Sequence, residues 1–270
     1  MVSVSPSLSL FGPDCTLIPA TCFGSWDRVY SVDHRMLQID SVKRMNLNSW
    51  RHVLGRFSNV EITESKIIHM VLAADHFIWA HNFTVLRLRD CSIKREVLLG
   101  IINHALALEQ LRLSNLQVET SSNRQTAMDR YTGNPDDPVV RTKLRVLELV
   151  GMDSLSGISP VFAFLAPQES LTSPFELDVL AIRSESEYNE LNLAFPLEVL
   201  CKNDRATEMT LGEREIQMIL ESKGSMLPPR PLSVRYLTLE VSTFHGVEAF
   251  LLQWLRFLPV LNIVKIVVRG

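Results

Sequence analysis

Three histidines and an aspartate crowd into one short stretch: His69, Asp75, His76 and His81. Imidazole and carboxylate are ordinary ligands of zinc. On a helix His69 and His76 share a face. They would still stand about 10 Å apart along the axis, too far to share one ion. Cys91 and His104 are a second candidate, a thiol with an imidazole as its base. Nothing supplies the oxyanion donors that such a pair requires. "GSMLP" and "SGISP" make no nucleophile elbow, and the 11 glycines contain neither GxGxxG nor a P-loop. Asp136 and Asp137 lack the alternating oxygen ligands of a calcium loop and read as a solvated turn. No catalytic residue, metal or cofactor is expected.

The remaining charged candidates are arginines, and their meaning depends on the elements that carry them. "FTVLRLRDCSI", Phe83 to Ile93, alternates apolar and charged residues with the period of a strand. The template L-x-x-L-x-L recurs. It fits Phe57/Val60/Ile62, Phe83/Leu86/Leu88, Leu108/Leu111/Leu113 and Leu144/Leu147/Leu149. It fits again at Leu177/Leu180/Ile182, Val234/Leu237/Leu239 and Leu261/Val264/Ile266, with a weaker copy at Met209/Leu211 and a doubtful one at Leu37/Ile39. The central anchors fall roughly 25 to 36 residues apart, the range of stacked supersecondary units. One such unit cannot bury its apolar face alone; its neighbours cover it.

Between the anchors lie helical patterns. Ser92 is placed to cap a helix with Ile93, Val97, Ile101 and Ala105 on one face and Leu98, Ile102 and Leu106 beside them. "TESKIIHMVLAADHFIWA" sets Ile67, Val71 and Ile78 on one side. "FHGVEAFLLQWLRFL" puts Val247, Leu251, Trp254 and Leu258 at helical spacing. Each unit therefore reads strand, turn, helix, return.

Phe83-x-x-Leu86-x-Leu88-x-x-Cys91-x-Ile93 resembles the leucine-rich repeat motif, L-x-x-L-x-L-x-x-[NC]-x-L. The resemblance implies that Cys91 bonds backbone groups in the turn behind its strand. The same position holds Ser65, Leu116, Met152, Glu185 and Ser242 in the other units, so the turn ladder is expected to be irregular. The long, uneven repeats with helical returns resemble the leucine-rich domains of fungal F-box proteins over roughly residues 34 to 270. That implies the substrate-reading part of an F-box type ubiquitin-ligase adaptor, with a Skp-type adaptor and a cullin as partners. Residues 1 to 56 hold no Leu-Pro-x-Glu-like opening of an F-box.

The expected fold is α/β, an irregular leucine-rich-repeat-like solenoid with a curved parallel sheet and helices on the convex side. Residues 1–33 form a poorly defined N-terminal segment and residues 34–270 the solenoid. A polar loop rich in turn formers is inserted at 119–142. "MLPPRP", Met226 to Pro231, reads as a stiff connector, with polyproline recognition as its alternative.

The chain has 270 residues, 46% of them hydrophobic, enough for a sizeable core. A net charge of −3 gives no support to nucleic-acid or polybasic membrane binding. Cys15, Cys22, Cys91 and Cys201 show neither zinc nor disulfide-framework spacing and read as free thiols. The N-terminus lacks the basic start of a secretory signal. Val247 to Val268 is apolar, but its Glu248, Arg256 and Lys265 would be costly in lipid. A cytoplasmic or nuclear monomer is expected.

In template register the residues between the anchors point outward onto the concave face. One row runs Glu61, Arg87, Arg112, Glu148, Ala181, Thr210, Thr238, Lys265. The row after it contains Thr63, Arg89, Ser114, Val150, Arg183, Gly212 and Glu240. The row before it contains Asn59, Val85, Gln110, Val146, Val179, Glu208, Tyr236 and Ile263. Arg87 and Arg112 would stand side by side, which costs energy unless acids neutralise them. Two readings stay open. Glu61 and Glu148 make a self-contained Glu–Arg–Arg–Glu ladder, worth little at an exposed surface. Or Arg87, Arg89 and Arg112, beside apolar Val146, Val150, Val179 and Ala181, dock an acidic protein segment. The function expected is an intracellular protein-interaction module. The alternatives are a hydrolase-like α/β enzyme with an unrecognised site and a leucine-rich-repeat regulator of a small GTPase.

Overall fold

The computed structural model describes residues 29–33, 36–68, 74–119, 143–152, 177–184, 205–221, 227–228 and 230–269. Its first strands alternate between long and short: β1 (Val29–Asp33), β2 (Met36–Asp40), β3 (Met45–Asn46), β4 (Asn59–Thr63), β5 (Lys66–Ile68), β6 (Val85–Arg89), β7 (Ser92–Lys94), β8 (Gln110–Ser114) and β9 (Gln117–Glu119). Five strands of five to seven residues follow: β10 (Val146–Met152), β11 (Val179–Ser184), β12 (Glu208–Gly212), β13 (Tyr236–Val241) and β14 (Ile263–Val268). Among the described residues the helices are α1 (Leu47–Leu54), α2 (Arg95–His104), α3 (Glu213–Glu221) and α4 (Val247–Trp254), with 3-10 turns at Ala74–Asn82 and Leu255–Phe257.

The protein is α/β, built on a large parallel sheet of nine strands in the order β2-β4-β6-β8-β10-β11-β12-β13-β14. Each strand pairs with the next long strand in the chain, so the sheet grows in one direction. β1 adds antiparallel to β2 at the other edge. It lies within the segment 1–33 that the sequence leaves undefined, and it belongs to the same sheet.

The register follows the template. Leu37, Val60, Leu86, Leu111, Leu147, Leu180, Met209, Leu237 and Val264 stand across from one another, strand to strand. The doubtful unit at Leu37 and the weak one at Met209 are both members of the sheet. All but Val264 of these anchors are buried. Each buried Leu is worth about 1.5–3 kcal/mol relative to exposure, and a one-residue slip would turn the whole set outward. Strand entry is equally regular. The carbonyls of Ser58, Thr84, Glu109, Arg145, Asp178, Thr207 and Arg235 each accept two N–H groups from the following unit. β14 is an edge strand, and its Val264 and Ile266 remain 38% and 37% exposed.

Strand exit is built differently in the first units. Ser41, Glu64, Asp90, Asn115 and Gly151 follow β2, β4, β6, β8 and the middle of β10 with φ between 47° and 62°. The N–H of each of the first four donates to a carbonyl of the next strand, for example Asp90 to Ser114 at 2.9 Å. This left-handed residue turns the chain off the main sheet and into a second one, ordered β3-β5-β7-β9. Asp and Asn tolerate the conformation well; Ser41 and Glu64 pay a local penalty of about 1 kcal/mol.

Several helical expectations need correction. Ser92 does not cap α2. It lies in β7, its hydroxyl donates to Glu119, and Lys94 occupies the cap position without a side-chain bond. Ile93, Val97, Ile101 and Ala105 are buried as the spacing predicts, but Leu106 is exposed. "TESKIIHMVLAADHFIWA" holds strand β5 and a 3-10 turn in place of one α-helix. Phe77 and Ala80, three apart, are buried there and Ile78 is exposed, because the 3-10 repeat is three residues. Glu119, the first residue of the expected loop, closes β9; the rest of that loop, 120–142, lies outside the described residues. "FHGVEAFLLQWLRFL" holds the expected helix with Val247, Trp254 and Leu258 buried, but Leu251 is only half-buried and Phe250, outside the expected face, is fully buried.

Candidate protein-binding surface

The candidate site is the outward row of the main sheet, whose positions are set by the register. Glu61 faces Arg87 across β4 and β6, Arg87 faces Arg112 across β6 and β8, and Arg112 faces Glu148 across β8 and β10. Ala181, Thr210, Thr238 and Lys265 continue the row. The two arginines turn away from each other. Arg87 reaches Glu61 through one amino nitrogen at 3.6 Å, and Arg112 reaches Glu148 at 3.3 Å. The Glu–Arg–Arg–Glu ladder therefore exists, in long, single-point contacts. Each arginine side chain is 36% exposed. The Nε of each is shielded from solvent and makes no hydrogen bond. Arg89, further out on β6, stands 3.6 Å from Asp90, whose other oxygen accepts from Asn115.

Val146, Val150 and Val179 are half-buried beside this group, and Ala181 between them is buried. Val146 pairs with Val179, and Val150 with Arg183, so the apolar residues span two neighbouring strands. Tyr236 lies further along the preceding row and is 45% exposed. Thr63, expected outward, is buried; its hydroxyl donates to the Asp40 carboxylate.

Arg183 behaves unlike the other arginines. Its side chain is only 15% exposed, and it crosses β12 to donate to Glu240 on β13 at 3.1 Å. Arg269 donates to the same oxygen at 2.7 Å. Gly212 makes the crossing possible: a Cβ there would come within 2.7 Å of the Arg183 Cγ and 2.6 Å of a Glu215 oxygen. The clamp was not anticipated, although its signal was present as Arg183, Gly212 and Glu240 in one row. A glycine between opposite charges on alternate strands leaves room for a long side chain to pass.

The turn behind the strands offers a wide groove of about 550 Å³ lined by Lys43, Glu64, Lys66, Asp90, Cys91 and Asn115 among others. Cys91 is buried, and its thiol donates to the carbonyls of Ile62 (3.3 Å) and Arg89 (3.2 Å). This is the backbone-bonding role that the repeat motif implies. Ser65 does the same one unit earlier, donating to the Thr63 carbonyl and accepting from the Val42 N–H. Burial pushes the Cys91 thiol up to about 11, against backbone hydrogen bonding with Ser65 and Arg89 that favours the thiolate. At neutral pH it is a thiol and not a nucleophilic thiolate. His104 bonds the Gly100 carbonyl and packs on Phe77, so its ring serves the helix end. Glu119 bonds Lys66 and Ser92, which hold its carboxyl below the usual range. Glu213 is held low chiefly by the Ser242 hydroxyl and backbone N–H; these bonds tie β13's exit to α3.

Of the histidine group, His81 is described in full: its Nδ1 bonds the Ile78 carbonyl. His69, and the side chains of Asp75 and His76, lie outside the described residues, as do Asp136 and Asp137. Among the described residues no three His, Cys, Asp or Glu side chains gather as metal ligands. Also among them, no helix is long and apolar enough to cross a membrane. Compared with protein-family models, curated proteins and solved structures, the chain matches none.

Proposed function

We propose that the chain is a protein-interaction module, a leucine-rich-repeat-like solenoid whose parallel sheet curves with its outward row on the concave side and its helices on the convex side. One observation carries the reading. Nine strands follow chain order with their apolar anchors in register, so successive units offer outward side chains as one continuous surface. A charged group beside an apolar one on that surface is the composition of a protein-binding patch. The state of Cys91 and His104 speaks against thiol catalysis. In its fuller form the chain is the substrate-reading part of an F-box type ubiquitin-ligase adaptor in the cytoplasm or nucleus; the repeat resemblance supports this.

The test is affinity purification of the tagged chain from a fungal extract, with mass spectrometry of what accompanies it. Recovery of a Skp-type adaptor and a cullin is the result expected of the ligase adaptor. Specific proteins without those subunits would leave a repeat scaffold and remove the ligase role. Recovery of nothing, together with hydrolytic turnover by the pure chain, would replace the module with an enzyme.

A further inference from the structure

Arg87 and Arg112 are adjacent cations, and among the described residues each has its acid partner on its far side. No outward position on β6 or β8 carries an acid: those positions are Val85, Arg87 and Arg89 on one strand and Gln110, Arg112 and Ser114 on the other. The seam between the two arginines is thus flanked by guanidinium groups whose side chains are each 36% exposed. A carboxylate placed there would bond both guanidinium groups and relieve their repulsion. Val85 on β6 is a single half-buried apolar residue at this seam; the nearest group of apolar residues is Val146 with Val179 and Val150, over the seam between β10 and β11.

The two seams lie two strand spacings apart, about 10 Å. The sheet's backbone bonds between these strands are already made, so a ligand crossing them must bind through side chains. A peptide in the polyproline II conformation rises about 3.1 Å per residue and returns to the same face every third residue, about 9 Å on. That distance matches the separation of the seams. An extended β-strand does not match, because its third residue points the other way.

We infer that this face reads a short acidic–apolar peptide motif, with one Asp or Glu carboxylate held by Arg87 and Arg112 and an apolar side chain three residues away on Val146, Val150 and Val179. The inference rests on the protein-interaction reading and names the ligand of that surface. It gives the arginine pair the work of recognition and the valines the work of setting the spacing.

The experiment is selection of a phage-displayed random peptide library on the purified full chain. Enrichment of Asp or Glu with an apolar residue at the third position is expected. The charge-reversed variant R87E/R112E should enrich Lys or Arg at the acidic position instead. A fluorescein-labelled copy of the best selected peptide should lose about tenfold in affinity to R87Q/R112Q. The melting temperature of that variant checks that the fold survives. Peptides without an acid, an acid at another spacing, or affinity unchanged by R87Q/R112Q would each overturn the motif. So would binding that requires a phosphoserine in place of the carboxylate. Failure to enrich any peptide would overturn it too, and partners still recovered with the intact chain would show that the broader interaction reading survives.

Discussion

Two arginine settings on the same face of the sheet make different use of the same side chain. Arg183 is nearly sealed, shares Glu240 with Arg269 in short bonds, and passes over a glycine to reach it. Arg87 and Arg112 are more open, touch their acids at one long contact each, and keep an unbonded Nε. The first setting ties β11 to β13. The second leaves two guanidinium groups partly open to solvent. What separates them is burial, since a charge removed from water must be answered within the fold, while one at the surface is answered mostly by solvent. Cys91 belongs with the sealed group, because its thiol proton is spent on two carbonyls.

The largest effect expected concerns Cys91. Its folded value lies above its ordinary 9.0, so its contribution is complete below pH 9.0 and drains as pH rises toward about 11. The gap in urea-unfolding stability between wild type and Cys91→Ser should shift by on the order of 2–3 kcal/mol across that window. No shift would place the thiol with the open groups.

Next comes Gly212→Ala. The added methyl group would push on Arg183 and Glu215, at a cost of about 1–3 kcal/mol. Ser114→Ala, also outward and on the strand that carries Arg112, should stay within about 0.5 kcal/mol. Glu240→Gln should cost about 1–2 kcal/mol in thermal unfolding, since it weakens two charge-assisted bonds at once. The smallest effect belongs to Glu61→Gln and Glu148→Gln, each below about 0.5 kcal/mol. If these two matched Glu240→Gln, Arg87 and Arg112 would be structural clamps as well, and their availability to a ligand would be lost.

The main sheet was legible because its signal is long. A two-residue period carrying apolar anchors repeats eight times and more, and even Leu37 and Met209 fall on the frame. The second sheet was not legible. Strands of two and three residues are too short to show alternation, and Ser92 inside one of them looked like a helix cap. The left-handed exit residues escaped for a related reason: Ser41 and Glu64 are unusual there, so Asp90, Asn115 and Gly151 did not stand out as a column. In the candidate site, the order of charges along the outward row could be read directly. The crossing of Arg183 over Gly212 depends on side-chain length and on the neighbour's missing Cβ, which only the packed structure reveals.

The claim that the outward row meets a protein is tested most directly by site-specific photo-crosslinking. A benzoylphenylalanine at Val150, on the outward face, is compared with one at Leu106, in the exposed turn after α2. The account predicts a discrete partner adduct from position 150 in cell extract and none from position 106. Adducts from position 106 alone would contradict it and move the binding surface off the sheet.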